Sequence, residues 1–282
     1  MKSRFLLFLL TSIVSLTIVA QPKVINQAIV KAKTEITFPD NMNTGGSPGE
    51  GDRMVMIGGP GGMEASTTIY YKADMTKIES TSDFGNNTII TDKKNKKTTT
   101  LIEAMGRKTG FYSTDEDQKQ MEARMDSVRK ARRDSLEKLG LPIAQPVQPD
   151  IEYSDETKKI AGYTCKKAVI RTKGRNGEVT NETTVWYCPD FKMGEGYSMS
   201  GGRGGMMGML GVNGLDKIEG FPMEYQAERR NGMKVHMQVT KVQLETDIAD
   251  TVFEVPKGYD IKPLKDVQGD PGRVMFRMGG GN

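Results

Sequence analysis

The chain has 282 residues, a mean hydropathy of −0.51 and a formal net charge of +4 at pH 7. The content of charged residues, 27%, is ordinary, so most of the chain can fold. The net charge is small, and neither nucleic acid nor another polyanion is expected as a partner. The chain has one histidine and two cysteines, and no zinc-ligand spacing, nucleophile elbow or Walker sequence occurs in it. The sequence therefore gives no support for an enzyme, and no cofactor is expected.

Residues 1–20 have the pattern of a secretory signal peptide. Lys2 and Arg4 precede an apolar run from Phe5 to Val19, and Ala20 stands at the expected cleavage site. The run is slightly short for a membrane span, and an uncleaved anchor is the alternative. We therefore expect export, with removal of residues 1–20.

The region from residue 21 to residue 264 is predicted to form one domain, and its first half is rich in strands. Apolar and charged residues alternate over Ile25–Phe38, which predicts a long half-buried strand. Antiparallel strands are then expected at 67–73, 75–82, 88–91, 98–104 and 109–112.

One long helix is predicted over Asp115–Leu139. Thr114 can cap it, because Asp117 follows three residues later, and Gly140 can end it. A thin apolar stripe is expected to pack on the sheet; its members are Met121, Met125, Val128, Ala131, Ser135 and Leu139. Binding of the basic face to a membrane surface is the alternative.

A β-hairpin is predicted around Asn176-Gly177, because this dipeptide lies between two runs rich in β-branched and aromatic residues. With these two residues as the turn, Cys165 faces Cys188. Directly opposed residues have Cα atoms roughly 4.5–5.5 Å apart, which lies within the range that a disulfide spans. We therefore predict a Cys165–Cys188 disulfide, in agreement with export to an oxidising compartment.

Strand patterns return after the hairpin at 221–229, 233–244 and 252–255. Two segments rich in Gly and Met, 39–65 and 192–216, are expected to be insertions, and 265–282 to be a disordered tail. Together these patterns predict an α+β fold with a large curved antiparallel sheet, a half-barrel of about ten strands, packed on one long helix.

Short motifs in this order resemble secreted bacterial proteins of unknown function related to the GLPGLI family. They include Ile160-Ala-Gly-Tyr163-Thr-Cys165, Val185-Trp186-Tyr187 and Ile218-Glu-Gly-Phe221-Pro222. The ending Phe253-Glu-Val-Pro256-Lys-Gly258-Tyr259 is also similar to the outer-membrane lipoprotein carrier superfamily. The resemblance implies a half-open barrel that holds an acyl chain, in the periplasm or at the outer membrane or cell surface of a Gram-negative bacterium. It implies no catalytic residues.

Aromatic and methionine side chains are the candidate ligand contacts. Tyr163 and Trp186 share a face with the cysteines in the predicted register; packing of Trp186 against the disulfide within a core is the commoner outcome. Met206, Met207 and Met209 suit apolar contact, because the thioether side chain is flexible. Together with Met199 they are weak candidates for Cu(I) ligands. Low-complexity loops without a specific role are the third interpretation.

These observations favour a non-enzymatic exported binding protein of the cell envelope that holds a lipid, a lipoprotein acyl chain or another apolar ligand on the concave sheet face. A methionine-rich periplasmic Cu(I)-binding protein is one alternative. A structural component whose loops contact other envelope proteins is the other.

Overall fold

The computed structural model describes residues 21–39, 62–140, 149–173, 177–194, 197, 214–228 and 232–267. The predicted signal peptide, most of both predicted insertions and residues 268–282 lie outside these ranges.

The first half of the described chain contains seven strands and the long helix: β1 Lys23–Ile25, β2 Gln27–Thr37, β3 Met63–Lys72, β4 Met75–Ser82, β5 Gly85–Asp92, β6 Lys97–Ala104, β7 Arg107–Thr114 and α1 Asp115–Lys138. The second half adds seven strands: β8 Asp150–Ile160, β9 Tyr163–Lys173, β10 Val179–Cys188, β11 Phe191–Met193, β12 Phe221–Glu228, β13 Lys234–Leu244 and β14 Asp260–Pro263. Single turns of 3₁₀ helix form at Leu215–Lys217, Asp250–Phe253 and Leu264–Asp266.

Twelve of these strands form one open sheet in the order β14-β7-β6-β5-β4-β3-β2-β13-β12-β10-β9-β8. Adjacent strands within this sheet are antiparallel, except that β14 and β7 are parallel. β1 and β11 form a separate parallel pair. The predicted large antiparallel sheet with one long helix is confirmed, with more strands than the ten expected.

The two faces of the sheet differ in burial, and β2 shows this most clearly. On β2, the side chains of Ala28, Val30, Ala32, Thr34 and Ile36 are buried, whereas the lysines and glutamate between them are exposed. We call the side that carries Val30 the core face and the other side the reverse face. The register extends the core face through Met237, Tyr225 and Val185, each at most 1% exposed. This stripe is the centre of the main hydrophobic core.

The chain after β13 covers the reverse face of the β2–β7 half. Ile248 and Phe253 pack there with Ile90 and Leu101 in a second hydrophobic cluster. Gly110 on β7 leaves room for the Leu101 side chain of this cluster, since a Cβ atom at that position would lie 2.9 Å from Cδ2 of Leu101. The strand predicted at 252–255 is wrong: Val252 and Phe253 lie in a 3₁₀ turn, Glu254 and Val255 lie outside the strands, and the next strand is β14. The predicted disorder is also wrong for residues 265 and 266, which lie in the last 3₁₀ turn.

The helix begins where it was predicted to begin. The Thr114 hydroxyl accepts a hydrogen bond from the Asp117 backbone N–H at 3.3 Å, and the Asp117 carboxylate accepts one from the Thr114 N–H at 2.8 Å. α1 buries none of its residues, and Met125 and Val128 are 50% and 59% exposed. The prediction that its apolar stripe packs on the sheet is therefore wrong. The stripe offers too little apolar area to hold a helix against a sheet.

The hairpin register is confirmed over most of its length. Facing residues of β9 and β10 follow the predicted pairing from Asn181 with Thr172 to Tyr187 with Lys166. The register shifts by one next to the turn, where Val179 faces Lys173. Gly177 has φ +77°, in the left-handed region that favours glycine. Asn176 lies outside the described ranges.

Candidate ligand-binding face

A row of side chains crosses the six strands β2–β7 on the core face. Five of its six members are apolar, and these become more exposed toward β7. Val30 faces Ile69, Ile69 faces Ile78, and Ile78 faces Ile89. The row continues through Thr100 on β6 to Phe111 on β7. Val30 and Ile69 are buried, whereas Ile78, Ile89 and Phe111 are only half-buried. We call these three residues, together with the half-buried Ile102 on the same face, the open face.

A row rich in hydroxyl groups runs beside this apolar row on the same face. It consists of Tyr71, Thr76, Thr91, Thr98 and Ser113, each facing the next across adjacent strands. The core face of β3–β7 therefore presents an apolar strip next to a hydroxyl strip.

Two buried hydroxyl groups near Tyr71 have no hydrogen-bond partner among the described residues: those of Thr76 and Tyr197. Thr76 is 6% exposed and faces Tyr71 on the adjacent strand. The ring of Tyr197 packs edge-on against that of Tyr71, with 5.4 Å between the ring centroids. Burial raises the pKa of Tyr197, so its hydroxyl stays protonated at neutral pH.

A small cavity of about 250 Å³ lies at the ends of β2, β3 and β4. Its lining includes Lys33, Glu35, Glu64 and Asp83. A lining with charges of both signs does not suit an apolar ligand, because such groups lose hydration on contact with it.

On the reverse face, β12 places one buried carboxylate in a polar cluster. Glu224 is 2% exposed, and its Oε2 accepts a hydrogen bond from the Lys158 ammonium at 2.6 Å. Gln238 donates to the same oxygen at 3.1 Å, and Nε2 of His236 lies 3.4 Å from Oε1. The Lys158 ammonium also lies 5.5 Å from the ring centroid of Trp186. This ion pair ties β8 to β12 across β9 and β10.

The pKa of Glu224 reflects opposing contributions. Burial raises it, but the hydrogen bonds and charge of Lys158, with the hydrogen bonds of Gln238 and His236, outweigh burial and lower the pKa below its ordinary value. Glu224 is therefore a carboxylate held in its charged form, and its main physical effect is to fix neighbouring strands.

The two cysteines are fully buried free thiols in the structure. The confirmed register places Cys188 opposite Cys165, one step beyond the pair Tyr187–Lys166. Burial, and then the nearby Cys188, raise the pKa of the Cys165 thiol to about 12.

The predicted disulfide between Cys165 and Cys188 is not formed in this structure. Forming the disulfide requires an oxidant, and the strand register places the two cysteines opposite each other whether they are reduced or oxidised. The disulfide stays a prediction, which counting free thiols in denatured, unreduced protein would test.

The sequence-predicted ligand contacts do not come together in the described chain. Tyr163 packs against Phe191, with 5.3 Å between ring centroids, and Trp186 lies in the Glu224 cluster. Both are half-buried at the edge of the main core. The predicted contacts Met206, Met207 and Met209, and the copper candidate Met199, lie outside the described residues.

Within the described ranges, no three or more His, Cys, Asp or Glu side chains are grouped so that they could hold a metal ion. The helix in those ranges is not long and apolar enough to span a bilayer.

A family model for a domain of unknown function, DUF4412, matches residues 148–259. This region runs from the connector before β8 to the residue before β14. No curated protein sequence matches the chain. The kinship with the GLPGLI family that the motifs suggest stays a prediction.

Solved structures similar to the chain include PNGF-II, at 15% identity and a TM-score of 0.37, over 90% of this chain and 33% of that one. The chain thus spans about a third of the length of PNGF-II. The lipoprotein LppX of Mycobacterium tuberculosis matches at 8% identity and a TM-score of 0.34, over 80% of this chain and 89% of LppX. A putative outer membrane lipoprotein-sorting protein domain from Vibrio parahaemolyticus matches at 7% identity and a TM-score of 0.29, over 81% and 89% of the two chains.

Proposed function

We propose that the protein is a non-enzymatic exported binding protein of the cell envelope, and that it holds the acyl chain of a lipid on the open face. The observation that carries the proposal is the row from Val30 to Phe111, apolar except for Thr100 on β6, whose apolar members are only half-buried on β4, β5 and β7.

The layering of the sheet supports this choice of face. Behind the open face, the reverse face of the same strands is already filled by Ile248 and Phe253, which bury Ile90 and Leu101. On this half of the sheet, the described residues leave the core face as the side where an apolar ligand would gain contact area. Each methylene group that it buries there contributes roughly 0.8 kcal/mol.

The state of the reactive side chains supports a non-enzymatic role. The Cys165 thiol has a pKa raised to about 12, so it is a poor nucleophile at neutral pH. The single histidine, His236, lies in the polar cluster around the Glu224 carboxylate. These groups are engaged in the packing of the sheet.

The cellular location rests on the sequence. The predicted signal peptide at residues 1–20 supports export, and the resemblance to lipoprotein carriers supports the periplasm or outer membrane as the place of action.

Replacement of Ile89 by asparagine tests the proposal. A fluorescent fatty-acid analogue should bind the wild-type protein, and I89N should lower its affinity by about tenfold, because a polar amide replaces an apolar contact. Val179→Asn is the matched control, because Val179 lies on β10 and is already 49% exposed. It should bind the analogue as the wild-type protein does.

Thermal unfolding of both variants separates loss of binding from loss of fold. Equal affinities of wild type and a folded I89N would contradict the assignment of the ligand to the open face. Absence of binding to the wild-type protein would contradict the proposed function.

A further inference from the structure

The hydroxyl strip beside the open face indicates what kind of head group the ligand has. This inference rests on the proposed function. The buried hydroxyls of Thr76 and Tyr197 have no hydrogen-bond partner within the described chain. Leaving a buried hydroxyl without a partner is unfavourable, and most such groups in proteins bind protein, water or a ligand.

Both groups belong to one neighbourhood. Thr76 faces Tyr71 on the adjacent strand, and Tyr197 packs edge-on against the same Tyr71 ring. Ile78, two residues after Thr76 on β4, lies on the same face of the sheet. A molecule whose chain lies along the open face would therefore bring its end close to these hydroxyls.

We propose that this neighbourhood binds the uncharged, hydrogen-bonding head group of an amphiphile, such as a glycerol or an ester, whose acyl chain occupies the open face. Two hydroxyls can each donate and accept, which matches the donors and acceptors of an alcohol or ester.

A negatively charged head group fits this neighbourhood less well. A buried carboxylate needs a cationic partner or several donors to offset its lost hydration. Burial, and after it the negative charge of Asp74, raise the pKa of Tyr71. A second negative charge at the same place would be repelled.

Binding of two amphiphiles with the same chain tests the inference. Monooleoylglycerol carries an uncharged head group and oleate a carboxylate, and both can displace the fluorescent fatty-acid analogue at pH 8. The wild-type protein should bind monooleoylglycerol about tenfold more tightly than oleate.

Two variants remove the hydroxyls with little change of shape, Thr76→Val and Tyr197→Phe. Each should weaken monooleoylglycerol binding about three- to tenfold and leave the affinity for oleate nearly unchanged. Thr98→Val is the control, because Thr98 belongs to the same strip on β6 and is half-buried, two strands from Thr76.

Wild-type affinity of both variants for monooleoylglycerol, with intact binding of the fluorescent analogue, would overturn the inference and leave the proposed function standing. A preference for oleate would overturn it as well. Failure of the wild-type protein to bind the fluorescent analogue would overturn the proposed function, and the inference with it.

Discussion

At the scale of single residues, Glu224 shows how one polar group can fix a sheet. Its carboxylate is 2% exposed and receives hydrogen bonds from Lys158 and Gln238. Removing one partner of a buried ion pair leaves the other with its desolvation uncompensated, although Lys158, at 39% exposure, can turn toward water.

Replacement of Glu224 by glutamine should lower the free energy of unfolding at pH 7 by about 1–3 kcal/mol. The pKa of Glu224 is lowered by folding, so the charged carboxylate stabilises the native state above its ordinary pKa. That stabilisation is lost as the pH falls through the lower, folded-state pKa. Urea denaturation should therefore show a gap between wild type and E224Q at pH 7 that narrows steadily as the pH falls below about 4.

Glu182→Gln is the control for this measurement, because Glu182 pairs with Arg171 on the exposed side of β10 and should change stability little. A gap between wild type and E224Q that is constant from pH 7 to pH 3 would show that the charge of Glu224 is not what stabilises the sheet.

The sequence could predict the register of the cysteines but not the burial of Glu224. The register follows from a turn signal within the same hairpin, at Gly177, which lies between the two cysteines in the sequence. Glu224 alternates with Met223 and Tyr225 on β12, a pattern that places it on a polar face. Its burial depends on Lys158, 66 residues earlier on the largely exposed strand β8, whose pattern is too weak to be predicted.

At the scale of elements, the start of α1 is determined by neighbouring residues in the sequence, whereas its packing is determined by the tertiary structure. Its start was predictable, because a capping box involves only Thr114 and Asp117. Its packing was not, because that depends on which other segments reach the sheet. The segment after β13 covers the reverse face of β2–β7, and α1 buries no residue.

Substitution of Thr114 by alanine should therefore weaken the helix and not the sheet. Loss of the N-cap should cost about 1 kcal/mol of helix stability and lower the far-UV circular dichroism signal at 222 nm. The urea midpoint followed by Trp186 fluorescence should stay at the wild-type value.

Ser127→Ala, in the middle of the exposed helix, serves as the control and should not reduce helicity, since alanine is the better helix former. A lower urea midpoint by Trp186 fluorescence in T114A would contradict this prediction and show that α1 stabilises the core.

At the scale of the whole molecule, the described residues cover one face of the twelve-stranded open sheet unevenly. The core face is tightly buried around Val185, Tyr225 and Met237, each at most 1% exposed. On β4–β7 the same face carries the half-buried side chains of the open face and the hydroxyl strip. Alternation within each strand was predictable from the sequence. The alignment of Ile78, Ile89 and Phe111 across strands was not, since it depends on the register of every hairpin between them.

Native mass spectrometry of the protein purified under gentle conditions from a bacterial envelope tests the central claim most directly. The proposed function predicts a second species heavier by the mass of one lipid, which organic extraction removes and which is much reduced in I89N. A single mass equal to that of the bare polypeptide, in wild type and I89N alike, would contradict the account.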